Sequence, residues 1–381
     1  MKTKLTTLLL FLCIVSNAQT IYEEFKSNKL GVSRQIKIQL PRNYETNTDK
    51  SYPLFIVLDG DYLFEVVAGN VDYYSYWEDM PESIVVGINQ IDSRDTDLYY
   101  SDQNYFPAET GIDFFEFIGM ELIPHINKTY RTENFKIAVG HGETANFINY
   151  YLFKDNPLFQ AYIALSPYFA EGMIENIPEQ LKQLEAKKFY YLATASNDRK
   201  SIKEDSENLN ASLSSIDETK LSYSFDNFEG TTHYSMPAHG IPKALENMFY
   251  VYQPISKDEY KETMLTYEGS PVEYLNEKYK TIFDLFGIEK QVLINDFQAV
   301  ASAIEKKEIY DAYEELSKIA RKHYPGTLLG TYYLARYQEE TGSPKKAMRT
   351  YKSAYIMDEI AGITKDFMLE KAEEIKADFG Y

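Results

Sequence analysis

Few groups in this chain are able to carry out chemistry. Its 381 residues include five histidines (His125, His141, His233, His239 and His323) and one cysteine, Cys13. A lone cysteine excludes an intramolecular disulfide and any metal site built from several thiolates. No two histidines stand at i, i+4 with an acid beside them, so a zinc site has no helix to sit on. No metal and no cofactor are expected. Asp92, Asp95 and Asp97 are close in sequence but lack calcium-loop spacing, which predicts a solvated loop. No G-x-x-x-x-G-K-[ST] or G-x-G-x-x-G follows a strand-like run, so nucleotide binding has no motif. What remains follows apolar runs. Asp59-Gly60-Asp61-Tyr62 comes after PLFIVL, and Asn89-Gln90 with Arg94 to Leu98 comes after SIVVGI. Gly140-His141-Gly142-Glu143-Thr144 follows FKIAV, Ala195 to Asp198 follows FYYLAT, and Glu229 to His233 follows residues 221–228.

The elements that must position these groups are readable as patterns. Residues 35–40 alternate polar and apolar, the mark of a half-buried strand. Residues 53–58, 83–88, 135–139, 161–165 and 189–194 are compact apolar runs that suit parallel strands covered on both faces. Helical spacing lies between them, over 111–130 and again over 145–153. Strand–helix alternation predicts an α/β fold, a three-layer sandwich with right-handed crossovers. Function in such a sheet collects at the carboxyl ends of the strands.

Near Ser256 the pattern changes. Strand-like runs vanish, and the remainder reads as a C-terminal all-α helical-repeat module. Leu334, Ala335, Gly342, Ala347, Tyr351 and Ala354 fit one tetratricopeptide-like helix–turn–helix over 327–359. Lys2 and Lys4 followed by the apolar stretch Leu5 to Val15 read as a secretory signal ending at Ala18. The expected organisation is a signal over 1–18, an α/β domain over 19–255 and a helical module over 256–381. The protein is expected to be exported, periplasmic or secreted. No later apolar run approaches the ~18 residues of a membrane span. With 39 basic against 58 acidic residues the formal charge is −19. That argues against nucleic acid and anionic lipid as partners, both of which attract basic surfaces.

Six segments, in order, resemble the secreted putative-esterase family, the esterase D-like branch of the α/β-hydrolases. They are LDGDYLF (58–64), VVGINQIDSRDTDL (85–98), FFEFIGMELIPHINKTYRT (114–132), IAVGHGETA (137–145), LFQAYIALSPYF (158–169) and FEGTTHYSMP (228–237). The resemblance covers roughly residues 30–252 and implies an α/β-hydrolase fold. The family carries its nucleophile in G-x-S-x-G on a sharp strand-to-helix turn. Here that segment is Gly140 to Thr144, with Gly142 at the serine position and Thr144 at the last glycine. Glycine has no side chain, so no acyl-enzyme forms there. Thr144 brings a methyl and a hydroxyl to a place where close helix–strand packing favours none.

By the same resemblance His233 matches the general base and Asp198 the acid, with Glu204 the second candidate. The oxyanion donors would be the backbone N–H groups near Asp61 and of Glu143. His141 would support the turn by packing, and His125 is expected to be structural. Two readings compete. One is an inactive esterase homologue that binds an ester-like small molecule or glycan, with a protein partner at the helical module. The other is an ester hydrolase with an altered mechanism using Glu143 and His233.

Overall fold

The computed structural model describes residues 20–380, so the segment read as an export signal, Cys13 included, lies outside them. The described chain divides into two compact units, the first ending at Tyr252 and the second beginning at Gln253.

The first unit is built on one eight-stranded sheet. Its strands are β1 (Ile21–Lys26), β2 (Ser33–Gln39), β3 (Tyr52–Val57), β4 (Ile84–Ile88), β5 (Thr132–His141), β6 (Ala161–Leu165), β7 (Lys188–Ala195) and β8 (Leu221–Phe228). Their spatial order is β1-β2-β4-β3-β5-β6-β7-β8. β1 pairs with β2 and β2 with β4 in antiparallel fashion, and every other pair is parallel. The sheet is therefore mixed. Sequence patterning finds the parallel core because β3, β4, β6 and β7 are buried along their whole lengths. It misses β1, an edge strand with no buried residue, whose polar face leaves little apolar signal.

Strand order decides where the chemistry gathers. From β3 the chain crosses one way to β4, then returns past β3 to β5. The carboxyl ends of β3 and β5 thus lie side by side at a switch point, where α/β sheets leave a crevice. The Asp59 loop and the Gly142 turn meet there.

Two helical segments are less regular than the spacing predicts. Residues 110–129 form α-helix, a π-helical turn over Phe117–Leu122, then α-helix again. Pro124 lacks the N–H that would close an α bond onto Met120, and the widened turn sits just before it. After Glu143–Phe147 the helix tightens to 3₁₀ over Ile148–Phe153. The Asn149 side chain donates to the Ala145 carbonyl at 2.7 Å, taking the acceptor that an α bond would use.

The second unit is helical, with its main helices at Pro271–Phe286, Ile294–Lys307, Ala312–His323, Leu328–Glu340, Pro344–Lys352 and Lys365–Phe379. Ala335, Ala347 and Tyr351 are fully buried in an apolar cluster of this unit. The Tyr351 hydroxyl donates to Glu339 at 2.8 Å, tying the fourth of these helices to the fifth. Among the described residues no helix is long and apolar enough to cross a membrane.

Candidate active site

β5 ends in a sharp turn at Gly142, whose φ of 64° and ψ of −120° lie where side chains are rarely tolerated. The Gly142 N–H donates to the Leu165 carbonyl at 2.9 Å, and its carbonyl accepts from the Tyr168 N–H at 3.0 Å. The turn is thereby anchored to β6 and the loop after it. The close approach of helix to strand is served by Gly140, where a Cβ would lie 2.5 Å from the Thr144 backbone. Thr144 does not crowd this turn, contrary to the sequence expectation. Its hydroxyl is fully buried, accepts from the His141 N–H at 2.8 Å and donates to Asp59 Oδ2 at 2.7 Å. The added polar atom is satisfied on both sides, so its burial is inexpensive.

His233 follows β8, and its Nδ1 lies 2.7 Å from Asp198 Oδ1. Asp198 follows β7, and its second oxygen accepts from the Ser166 hydroxyl at 2.5 Å, the Ala195 N–H at 2.9 Å and the Thr194 hydroxyl at 3.0 Å. Burial pushes this carboxyl up, but the donors from His233, Ser166, Ala195 and Thr194 outweigh it and hold the group down at about 2. An ionised Asp198 accepts only, so Nδ1 of His233 carries the proton and Nε2 offers a lone pair. That Nε2 lies 3.5 Å from where a Cβ on Gly142 would stand. Glu204 is elsewhere, on an exposed helix face, 3.4 Å from Lys200.

Asp59 is the residue whose importance the sequence hid. It follows β3 with a positive φ of 52°, and its carboxylate is only 2% exposed. It accepts from Arg94 Nε at 2.7 Å and Nη2 at 3.2 Å, besides Thr144. Arg94 also donates to the Glu143 carboxylate and to the His141 carbonyl at 3.4 Å. The only sequence signal was position, since Asp59 and Arg94 both stand just past carboxyl ends of strands. Asp61 acts through its side chain, accepting the N–H groups of Gln90 at 2.6 Å and Ile91 at 3.0 Å. The Asp97 carboxylate is held by both nitrogens of Arg34 at 2.8 Å and is buried, so it is no part of a solvated acidic loop. The spacing test that predicted such a loop takes no account of the basic partner that β2 supplies. Among the described residues no group of three or more His, Cys, Asp or Glu is placed to hold a metal ion.

His141 does more than pack. Its Nε2 donates to the His233 carbonyl at 3.1 Å, and its Nδ1 faces the Tyr62 hydroxyl at 2.9 Å. The two histidine rings lie 4.3 Å apart at 34°. Burial pushes His141 down from 6.5 to about 4, and neighbouring His233 adds to the effect. The unfolded chain thus binds a proton between pH 6.5 and 4 that the native chain does not. Stability from this site is complete above pH 6.5 and is lost as pH falls towards 4, by about 3 kcal/mol. His141→Gln keeps an N–H donor and should flatten urea midpoints over that range. An unchanged slope would show that another group titrates.

His125 packs edge-on against Phe25 at 5.1 Å, and His323 Nδ1 accepts the Val292 N–H at 3.3 Å within the helical unit. Neither belongs to the His233 centre.

The sheet order, the turn at Gly142 and the His233–Asp198 pair together define an α/β-hydrolase-type scaffold. Residues 27–227, more than half of the chain, match the family model described as "Putative esterase", and the chain belongs to that family. It is similar to an uncharacterised protein from Capnocytophaga ochracea DSM 7271 at 31% identity, with a TM-score of 0.85 over 94% of this chain and 100% of that one. An IroE-like serine hydrolase from Shewanella oneidensis shares the fold at 20% identity and TM-score 0.59, over 81% of this chain and 99% of its own. The BES protein from Bacillus cereus does so at 24% and 0.52, over 62% and 95%. No curated protein sequence matches.

Proposed function

We propose that this chain is an exported binding protein on an esterase scaffold and does not hydrolyse esters through an acyl-enzyme. The observation that carries this reading is the 3.5 Å between His233 Nε2 and the Cβ position of Gly142. The base and its acid are aligned on a residue with no atom to activate. Loss of the serine from such a triad typically costs about 10⁶ in kcat, leaving roughly 10³–10⁴ over water from binding and backbone donors. The backbone N–H groups of Glu143 and near Asp61 would be those donors. The ligand would be an ester-like small molecule or a glycan, and the helical unit would offer a surface to a protein partner. Export rests on the pattern of residues 1–18.

The alternative, a hydrolase using Glu143 as base with His233, has the Glu143–Arg94 ion pair against it. That carboxylate is engaged by a guanidinium rather than poised on a water. Assay of the purified chain with p-nitrophenyl acetate and butyrate separates the two. The expected result is no turnover of enzymatic size. Turnover of about 1 s⁻¹ or more that disappears in His233→Ala would overturn the proposal, and loss in Glu143→Gln would favour the alternative.

A further inference from the structure

After His233, the group nearest the Cβ position of Gly142 is the Arg94 guanidinium, with Nη2 at 3.8 Å. Asp59 accounts for the inner side of this cation, which leaves Nη1 and its exposed partner Glu143 to be explained. The two carboxylates on Arg94 differ sharply in exposure. Asp59 is 2% exposed and holds two of the three nitrogens, Nε and Nη2. Glu143 is 57% exposed and touches only Nη1. The inner pair is structural, because a buried carboxylate does not leave its only cation. The outer pair is an exposed contact of the kind that contributes little, and a competing anion can displace it.

We propose that the centre around Gly142 is a carboxylate-binding site, where a free carboxylic acid replaces the Glu143 side chain on Nη1 of Arg94. The inference rests on the binding-protein reading above and names its ligand class as the acid product of an ester rather than the ester. Exchange of one carboxylate for another leaves the local charge unchanged, so no desolvated charge is added. Glycine at position 142 leaves the space beside Arg94 Nη2 and His233 free of a side chain, so the body of the acid has room next to the nitrogen, Nη1, that Glu143 vacates. The Thr144 hydroxyl and the His141 carbonyl keep Asp59 and Arg94 in place while Glu143 swings out.

The test is calorimetric titration of the full chain with acetate, hexanoate and benzoate, each beside its methyl ester. The acids are expected to bind and the esters to bind at least tenfold more weakly. Glu143→Gln removes the internal competitor and should tighten the acids by up to about fivefold, with no gain for the esters. Arg94→Ala should abolish acid binding. Since that variant strands Asp59 and is at risk of unfolding, the Glu143→Gln result is the deciding one. Weaker or unchanged acid binding in Glu143→Gln overturns the inference, as does no binding of any acid to either protein. Ester binding that exceeds acid binding overturns it while leaving the binding-protein reading intact. Enzymatic turnover of the methyl esters sinks that reading itself.

Discussion

Gly142→Ser is expected to gain ester hydrolysis by several orders of magnitude over the parent chain, with about 10⁶ as the ceiling. The geometry is already in place. A hydroxyl carried on a Cβ 3.5 Å from His233 Nε2 reaches hydrogen-bond distance in a staggered rotamer. His233 is held in the proton-accepting tautomer by an Asp198 that stays ionised down to about pH 2. Arg94 does not obstruct the added Cβ, since its Nη2 lies 3.8 Å from that position, an ordinary contact distance. The same substitution should lower stability by about 1–3 kcal/mol, because a side chain is forced into φ 64°, ψ −120°. Both effects are read on one preparation, by p-nitrophenyl butyrate turnover and by urea unfolding. A folded variant with no added turnover would mean that backbone donors for the oxyanion are lacking. Glycine at this turn therefore relieves strain that a serine would impose, which is a physical reason for the two changes to be linked.

How far the sequence reveals this centre depends on the kind of signal. The parallel core strands are visible because burial on both faces leaves unbroken apolar runs, as in Ala161–Leu165, whereas the half-buried edge strand Leu221–Phe228 is visible through alternation; the observed ends of both match the sequence reading. β1 is invisible because an exposed edge strand carries no such run. The helix breaks at Phe117–Leu122 and Ile148–Phe153 come from single competing groups, a missing proline N–H and an asparagine amide, which periodicity averages away. At the site, the motif order locates Gly142, His233 and Asp198, and the structure brings the three together. Asp59 and Arg94 are different. Each is an ordinary charged residue, 35 positions apart, and the parallel pairing of β3 with β4, which sets the two carboxyl ends side by side, brings them to one place. Ser166 is similar: its role as a donor to Asp198 depends on a positive φ of 43° that no sequence pattern announces. Pairings made through topology are the ones that a linear reading loses.

Asp59→Ala should cost about 3–5 kcal/mol, the usual penalty for breaking a buried ion pair from one side. Four donors converge on this carboxylate within 3.2 Å: Arg94 Nε, Arg94 Nη2, the Thr144 hydroxyl and the Tyr62 hydroxyl. The Tyr62 hydroxyl lies 3.1 Å from Oδ2 and also faces His141, so the Asp59 site borders the histidine pair. Thr144 has a second acceptor in the His141 carbonyl at 2.9 Å and is not stranded by the change. Arg94, however, is left with the exposed Glu143 alone as its carboxylate, and alanine tolerates the φ of 52° less well than aspartate. Asp59→Asn keeps the backbone preference and one acceptor oxygen, so its loss should be smaller. The contrast is Asp72→Ala, which breaks the half-exposed pair with Arg42 and should cost under about 1 kcal/mol. Urea unfolding of the three variants side by side reads the difference. Equal small losses at both aspartates would mean that Arg94 turns outward to water when Asp59 is removed. The elbow would then be held by its backbone bonds to Leu165 and Tyr168 rather than by the charge beneath it.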